Sequence, residues 1–301
     1  MLLKPLFNSL FNKERDEFRI DLSEANVDIL ESILLRCSKK ELLLCREICS
    51  KWKTLIDSRP FWIAKEEFDG EQYINSLVDT KMPLLSSNFG KLSICRPFNH
   101  NLLSDKNPKG GNECEKHADP RWLFSNGGNG WCYESPPQFL SEHFDPNFKP
   151  LFDSCFATSY RLCSKEMNVN LAKLGIDDDV LDEYRPPIVF SEWVTNRSDC
   201  GSLYRIRLEL YDENHRILAS EEKEITFNQW AFQLWQKVEI VLKSYPKGCR
   251  SLKVSSGSKD TQFWNGYYGA KIAGSELVIK MESSPPANRA VSDSGNFSVK
   301  I

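Results

Sequence analysis

The sequence predicts a small all-α bundle followed by an all-β antiparallel sandwich. Through residues 18–68, apolar residues recur at three- and four-residue spacing, which is the period of an amphipathic helix. From Cys95 onward, short alternating apolar runs are separated by turns rich in Gly, Pro and Asn, a pattern typical of an antiparallel sandwich. With 301 residues, of which 41% are hydrophobic, the chain is long enough to bury a core.

These changes in pattern divide the chain into segments. They are a leader at 1–17, a helical domain at 18–68, a linker at 69–94, a β-domain at 95–281 and a tail at 282–301. In the linker, Tyr73, Ile74, Leu77 and Val78 have helical spacing, so a short bracing helix and a loose connector both remain open. The tail is rich in Pro, Ser, Asn and Gly, which predicts disorder.

The helical domain contains a helix-start signal in its middle. Ser38 and Glu41 stand three residues apart, as in a capping box, so we expect a new helix to begin there. That helix is predicted to carry Leu42, Leu43, Cys45, Ile48, Cys49, Trp52, Leu55 and Ile56. A domain of roughly fifty residues is near the lower limit for independent folding, so its apolar face requires either a partner protein or the rest of the chain.

The β-domain contains two clear strand patterns. Tyr204–Tyr211 and Val238–Leu242 alternate apolar with charged residues, which predicts half-buried strands. Further strand candidates are Cys155–Tyr160, Ile188–Val194, Leu252–Val254 and Glu276–Lys280. The acidic pairs and triplets, such as Glu221-Glu222, are interpreted as solvated surface.

The segment Lys259–Lys271 is the strongest candidate for a binding loop. It contains four aromatic residues and two glycines in thirteen positions. Phe263 and Trp264 are adjacent, so an extended strand could not place both rings on one face. Asn265-Gly266 is a turn signal, which favours a surface loop that presents aromatic rings. The alternative is that these rings close the end of the sandwich core.

Composition and motifs argue against several classes of function. A net charge of −3 and an isoelectric point near 5.9 disfavour a nucleic-acid partner. The ten cysteines include no Cys-x-x-Cys, and a zinc site built on Cys114, His117, Cys132 and His143 does not fit the usual spacing, so we predict free thiols, no metal and no cofactor. No signal peptide or membrane-length apolar run is visible, which predicts a cytoplasmic protein without membrane insertion. Neither a nucleophile elbow nor a phosphate loop occurs.

The segment Leu42–Ile56, followed by Phe61-Trp62, resembles the second half of an F-box. The resemblance implies an L-shaped bundle whose apolar face docks on the Skp adaptor of a cullin-based ubiquitin ligase. The residues expected to bind the adaptor are Leu30, Ile33, Leu34, Leu42, Leu43, Ile48, Cys49 and Trp52. The first half departs from the family pattern, because Leu22-Ser23 stands in place of Leu-Pro and Ser38 replaces a frequent Pro.

The region Cys95–Lys280 resembles the F-box-associated domain of the sugar-recognising F-box proteins. Matching landmarks include Asn126-Gly127-Gly128 with Trp131, Cys155–Tyr160 with Cys163, Arg197–Gly201 with Tyr204, and Lys259–Trp264 with Gly266, Tyr268 and Gly269. The resemblance implies a jelly-roll-like, galactose-binding-like sandwich. In several family members, loops at one end of it grip the inner chitobiose of high-mannose N-glycans.

The resemblance also implies which residues form that grip. The family uses an aromatic pair followed by Lys, and an aromatic from the loop after the strand that carries Trp193. Phe263 and Trp264 match the pair, and Asn265 replaces the Lys, keeping hydrogen-bonding capacity without charge. The second loop is represented by Val194 and Thr195, without an aromatic residue.

The expected function is that of a non-catalytic substrate receptor in an SCF-type ubiquitin ligase with a Skp adaptor and a cullin scaffold. Its substrates would be misfolded glycoproteins returned to the cytosol, presented for ubiquitination in ER-associated degradation. Two alternatives remain. In one, Phe263 and Trp264 bind a protein surface without glycan. In the other, the chain is a carbohydrate-active hydrolase on a jelly-roll fold.

Overall fold

A computed structural model describes residues 26–77, 88–103, 120–140, 152–231 and 233–281. The predicted leader and tail lie outside the described residues. So do Leu22-Ser23 and three members of the hypothetical zinc site, Cys114, His117 and His143.

The helical part consists of short helices. Their bounds are α1 Val27–Leu34, α2 Lys39–Cys45, α3 Ser50–Ile56, α4 Arg59–Phe68, α5 Tyr73–Ser76 and α6 Phe89–Cys95. The predicted capping box is confirmed, since the Ser38 hydroxyl accepts from the Glu41 backbone N at 3.3 Å and the Glu41 carboxylate accepts from the Ser38 backbone N at 2.8 Å.

The expectation that one helix runs from Leu42 through Trp52 is wrong. α2 ends at Cys45, and Cys49 has an extended backbone with φ −158° before α3 begins. The break allows α3 to pack back against α2, so that Leu42 and Trp52 both enter one core, where they are 0% and 4% exposed.

The described part of the predicted linker packs as short helices against the bundle. Ile74 is buried on α5, and Phe89 and Leu92 are buried on α6. Gly90 makes this packing possible, because a Cβ at that position would lie 2.8 Å from the ring of Trp62. A loose connector is therefore excluded for residues 73–77 and 88–94, and the bracing-helix alternative applies there.

The second part is a β-sandwich, as predicted. Its strands are β1 Leu123–Ser125, β2 Cys132–Glu134, β3 Cys155–Ala157, β4 Cys163–Asn170, β5 Ile188–Thr195, β6 Ser202–Tyr211, β7 Ile217–Phe227, β8 Gln236–Leu242, β9 Ser251–Asp260 and β10 Lys271–Ile279. The described strands form two five-stranded sheets, ordered β1-β4-β9-β6-β7 and β2-β3-β10-β5-β8, with antiparallel pairing throughout.

Helices and sandwich share one continuous hydrophobic core. The same cluster of buried residues contains Leu30 and Trp62 from the helices and Ile279 from the last strand. Asn99 and Asn101 reinforce the junction, because their side-chain oxygens accept from backbone N atoms beside and within β10 at 2.8 and 3.0 Å. The helical part is thus attached to the central strand of the second sheet.

A buried ion pair joins the two sheets. Lys165 of β4 lies 2.9 Å from Glu192 of β5, and their side chains are 2% and 0% exposed. The hydroxyls of Tyr204 and Ser275 donate to the same carboxylate at 2.7 and 2.6 Å. Burial, together with the nearby Glu192 carboxylate, raises the pKa of Tyr204 well above its ordinary value, so the hydroxyl stays a donor. The ammonium of Lys165 also lies 4.3 Å from the ring of Trp122.

Candidate functional site: an aromatic tip at one end of the sandwich

The loop between β9 and β10 carries the predicted aromatic pair. Phe263 is 66% exposed, Trp264 is 39% exposed and Asn265 is also exposed. The rings are therefore offered to solvent and do not close the end of the core. We call this loop, which includes Tyr268, together with the Arg197 side chain that packs on the Tyr268 ring, the aromatic tip.

Hydrogen bonds from neighbouring loops hold the tip in place. The buried Asp260 carboxylate accepts from the backbone N atoms of Gln262 and Phe263 at 3.0 and 2.6 Å. The backbone N of Gly266 donates to the Asn129 side-chain oxygen at 2.9 Å, and its carbonyl accepts from the Ser159 hydroxyl at 2.8 Å. A loop fixed in this way loses little conformational entropy when it binds a ligand.

A stack of rings around a guanidinium supports Trp264 from behind. The Tyr268 ring meets Trp264 edge to face, with centroids 5.4 Å apart. The Arg197 guanidinium lies 4.1 Å from the ring of Tyr268 and 4.1 Å from that of Phe139. It also donates twice to Asp199, at 2.9 and 2.7 Å, and this bond holds the pKa of Asp199 below its ordinary value. The cation is thus already paired within the chain.

Val194 and Thr195 do not line the tip. Both are fully buried on β5 and pair with Ile272 and Lys271 of β10. The strand continues through Thr195, and the loop begins only at Asn196, whose side-chain amide donates to the backbone carbonyls of Arg197 and Cys200. From this loop, the Arg197 side chain packs on the tip, and Asp199 is its ion-pair partner.

Sequence reasoning did not identify Phe139, Arg197 or Trp230 as site residues. Phe139 is 60% and Trp230 is 74% exposed. The backbone N of Ser198 donates to the Phe139 carbonyl at 3.4 Å, and the Ser198 carbonyl accepts from the Trp230 backbone N at 3.1 Å. Their proximity depends on three distant loops meeting at Ser198. No local pattern contains that information.

The residues predicted to bind the adaptor divide into two groups. Leu30, Leu34, Leu42 and Trp52 lie in the core, where they hold the bundle together and present no surface. Ile33, Leu43 and Cys49 are half-buried, and Ile48 is 41% exposed. Leu43 faces α6, since its Cδ2 would lie 3.2 Å from a Cβ at Gly90.

Three exposed apolar residues of α1 and α2 were absent from the prediction. Val27 is 48%, Ile29 is 59% and Leu44 is 52% exposed. Ile29 and Leu44 directly neighbour residues of the predicted stripe in sequence, so helical periodicity assigned the stripe to the interface and overlooked the other side of the helices. Together with Ile48, these side chains form what we call the exposed apolar set.

The described residues offer little for other chemistries. Within them, no group of three or more His, Cys, Asp or Glu side chains is arranged to hold a metal ion. A groove of about 310 Å³ on the outer face of the first sheet is lined by Arg205, Arg207 and Lys259 among others, with no aromatic ring. No helix in the described ranges is long and apolar enough to cross a membrane.

Comparison with known proteins assigns both parts of the chain. Residues 26–64 match the F-box domain, and residues 93–279 match the F-box associated region. The chain therefore belongs to the family of F-box proteins that carry an F-box associated region. This family membership gives it a substrate-recognition role in an SCF-type ubiquitin ligase, with a Skp adaptor and a cullin as partners.

Particular relatives are moderately similar over nearly the whole chain. F-box only protein 6 of Homo sapiens is 32% identical over 265 residues, which cover 86% of this chain and 84% of that protein. F-box only protein 44 of Mus musculus is 29% identical over 265 residues, covering 86% of this chain and 96% of that protein. The solved structure of TmCBM61 in complex with β-1,4-galactotriose overlaps 58% of this chain and 99% of its own, with 9% identity and a TM-score of 0.32.

Proposed function

We propose that the chain recognises glycoproteins by holding the chitobiose core of N-linked glycans at the aromatic tip. The observation that carries the proposal is the exposure of Phe263 and Trp264 on a loop that its neighbours hold rigid. Sugar rings have apolar C–H faces that pack on aromatic rings, while their hydroxyls require directed polar partners. The exposed amide of Asn265 provides both a donor and an acceptor beside the rings.

The bound glycoprotein would be presented to the other ligase subunits for ubiquitination. In this role the chain is non-catalytic, and it raises the rate of transfer by proximity alone. We place this activity in the cytoplasm, on misfolded glycoproteins undergoing ER-associated degradation. The exposed apolar set on α1, α2 and the turn after α2 is proposed to contact the Skp adaptor.

Glycan binding at this tip is expected to depend little on salt. Asn265 is neutral, and Arg197 is only 9% exposed and paired with Asp199, so neither of these two tip residues presents an unpaired cation to the ligand. Interactions between exposed charges weaken as ionic strength rises, whereas ring stacking and neutral hydrogen bonds do not. Titration of a high-mannose glycan between low and high salt should therefore give nearly equal dissociation constants.

The direct test is isothermal titration of the full chain with a chitobiose-containing glycan and with a mannose oligosaccharide that lacks chitobiose. The wild type should bind only the first. Trp264→Ala should weaken binding at least tenfold, about 1.4 kcal/mol, because it removes one stacking ring. Ile217→Ala, on a residue 54% exposed at the other end of the sandwich, is the matched control and should bind normally.

Each alternative predicts a different result. If the wild type binds no chitobiose-containing glycan, the proposal is wrong. Binding of unglycosylated protein through Trp264 would then favour the protein-surface alternative. Turnover of a labelled glycan by the purified chain would favour the hydrolase.

The adaptor contact has its own test. Leu44→Asp and Ile48→Asp should each reduce co-purification with a Skp adaptor, because they place a charge on exposed apolar side chains. Phe68→Asp, on a residue that is 55% exposed at the end of α4, serves as the control. Polar substitutions of Leu42 or Trp52 would unfold the bundle and cannot separate the two effects. Undiminished adaptor binding by both Asp variants would exclude this assignment.

A further inference from the structure

Two exposed aromatic residues beside the tip are unexplained by glycan binding at Phe263 and Trp264. Phe139 and Trp230 have φ of +54° and +62°, and Phe263 itself has φ of +59°. Bulky residues rarely adopt this left-handed backbone conformation, and where they do, the surrounding structure holds them there. Three separate loops at the same end of the sandwich thus each hold an exposed aromatic ring in an uncommon conformation.

These loops form one continuous surface with the tip. Ser198 bonds through its backbone to Phe139 on one side and to Trp230 on the other. The adjacent Arg197 guanidinium packs between Phe139 and Tyr268, and Tyr268 packs against Trp264. A ligand held at Trp264 therefore lies next to the stack that leads to Phe139.

Three polar side chains near Phe139 and Trp230, those of Arg197, Asp199 and Gln229, are already paired within the chain. Arg197 and Asp199 bond each other, and the Gln229 side-chain amide donates to the Asp199 carbonyl at 3.0 Å. Trp230 makes no ring contact with another described aromatic residue, and 74% of it is exposed. Among the described residues, the two rings offer exposed hydrocarbon area, and the three polar side chains named here are engaged with each other or with the backbone. Apolar side chains suit this surface, whereas sugar hydroxyls would be left without partners.

We propose that Phe139 and Trp230 bind an apolar stretch of polypeptide next to the glycosylated Asn of the substrate. This inference rests on the proposed glycan binding at the tip and narrows its substrate class. The preferred substrate is a glycoprotein whose hydrophobic residues are exposed beside its glycan, as they are in an unfolded chain. A folded glycoprotein would engage only the glycan contacts at Phe263 and Trp264.

The test uses the full chain and three synthetic probes, with affinity measured by titration calorimetry. One peptide carries chitobiose on Asn between Phe and Leu residues, a second carries it between Ser and Gly, and the third is the Phe- and Leu-flanked peptide without sugar. The wild type should bind the first at least fivefold more tightly than the second. Trp230→Asn should abolish this difference and leave the affinity for the second unchanged. Phe139→Ser should also reduce the difference, and because Phe139 packs on Arg197 it should weaken binding of both glycopeptides. Asn tolerates the left-handed backbone at position 230, and a thermal melt checks folding.

The remaining outcomes separate this inference from the proposed function. Ile217→Asn, at the opposite end of the sandwich, should retain the preference for apolar flanks. Equal affinity of the wild type for both glycopeptides would overturn the inference and leave glycan binding intact. The inference would also be overturned if a longer oligosaccharide bound more tightly than chitobiose and Trp230→Asn removed that extra affinity, because the surface would then be a sugar subsite. If neither glycopeptide binds, the proposed glycan recognition is wrong, and the sugar-free peptide tests the apolar surface by itself. Binding of that peptide that is lost in Trp230→Asn would support a polypeptide-binding surface. No binding of that peptide would overturn the inference.

Discussion

The ion pair between the sheets permits a quantitative test of what holds the sandwich together. Lys165→Met would keep most of the side-chain volume but leave the Glu192 carboxylate fully buried, with only the hydroxyls of Tyr204 and Ser275 as donors. Removing one partner of a buried pair costs about 3–5 kcal/mol, because the other charge stays uncompensated. We therefore expect Lys165→Met to lower the free energy of unfolding by that amount.

Removing both charges should restore much of the loss. Lys165→Met combined with Glu192→Leu eliminates the uncompensated charge and leaves the buried hydroxyls of Tyr204 and Ser275 without their acceptor, at a cost of about 1–3 kcal/mol each. Adding Tyr204→Phe and Ser275→Ala removes that cost as well. The quadruple variant should therefore be close to wild type in stability, since apolar replacements of buried pairs are often neutral or stabilising.

Urea unfolding followed by tryptophan fluorescence measures these variants together with the Glu192→Leu single variant. Lys259→Met, on a half-buried residue at the end of β9, is the control and should change stability by about 0.5 kcal/mol or less. A loss below about 1 kcal/mol for Lys165→Met would refute the reasoning. So would a double variant as unstable as the sum of its two single variants, because the two charges would then not be coupled.

Three further predictions concern the tip, a thiol and an acidic group. Arg197→Lys should weaken glycan binding in the calorimetric assay, because an ammonium cannot replace a planar guanidinium between two rings. This effect is expected although the Arg197 side chain does not face the ligand. Unchanged affinity would show that the stack of rings does not support Trp264. A hydrogen bond from the Cys45 thiol lowers the pKa of Cys37 to about 7, so its alkylation rate, followed by mass spectrometry, should be half-maximal near pH 7 and shift to higher pH in Cys45→Ala. The Arg250 guanidinium holds the pKa of Asp182 below 3.8, so this carboxylate stabilises the folded chain above about pH 4. The stabilisation is lost as the pH falls below that value. Asp182→Asn should therefore flatten the acid-unfolding curve below about pH 4.

Local chemistry made some of the fold predictable. The capping box at Ser38 placed a helix start correctly, because both of its hydrogen bonds depend on residues three positions apart. The alternation in β6 and β8 likewise reflects one buried face. β7 was not predicted, because it lies at the edge of its sheet and is largely exposed, with the Glu221-Glu222 pair within it.

The strand β4 was missed for a different reason. Its inward-facing row contains Lys165, a residue that signals an outward face unless a buried partner is known. That partner, Glu192, comes from the other sheet and 27 positions later in the chain. The alternation within β4 therefore had the period of a strand, but a charged residue stood in the row that faces the core.

The candidate site was predictable only where it is contiguous in sequence. Phe263 and Trp264 are adjacent and precede a turn signal, so their exposure followed from strand geometry. The supporting stack joins Phe139, Arg197 and Tyr268, which only the fold brings together. Val194 and Thr195 were placed in a loop because the end of β5 was set too early. The end of β5 is determined by its pairing with β10, and the sequence of β5 alone carries no information about that pairing.

The shared core of helices and sandwich has a geometric consequence for the ligase. Because one hydrophobic cluster of the described residues runs from Leu30 to Ile279, the helices that carry the exposed apolar set are packed onto the sandwich that carries the aromatic tip. If the tip binds substrate as proposed, this packing would fix the direction from which an anchored substrate approaches the ubiquitin-charged enzyme. The lysines that come within reach would then depend on the length and flexibility of the substrate's own chain beyond the anchored point.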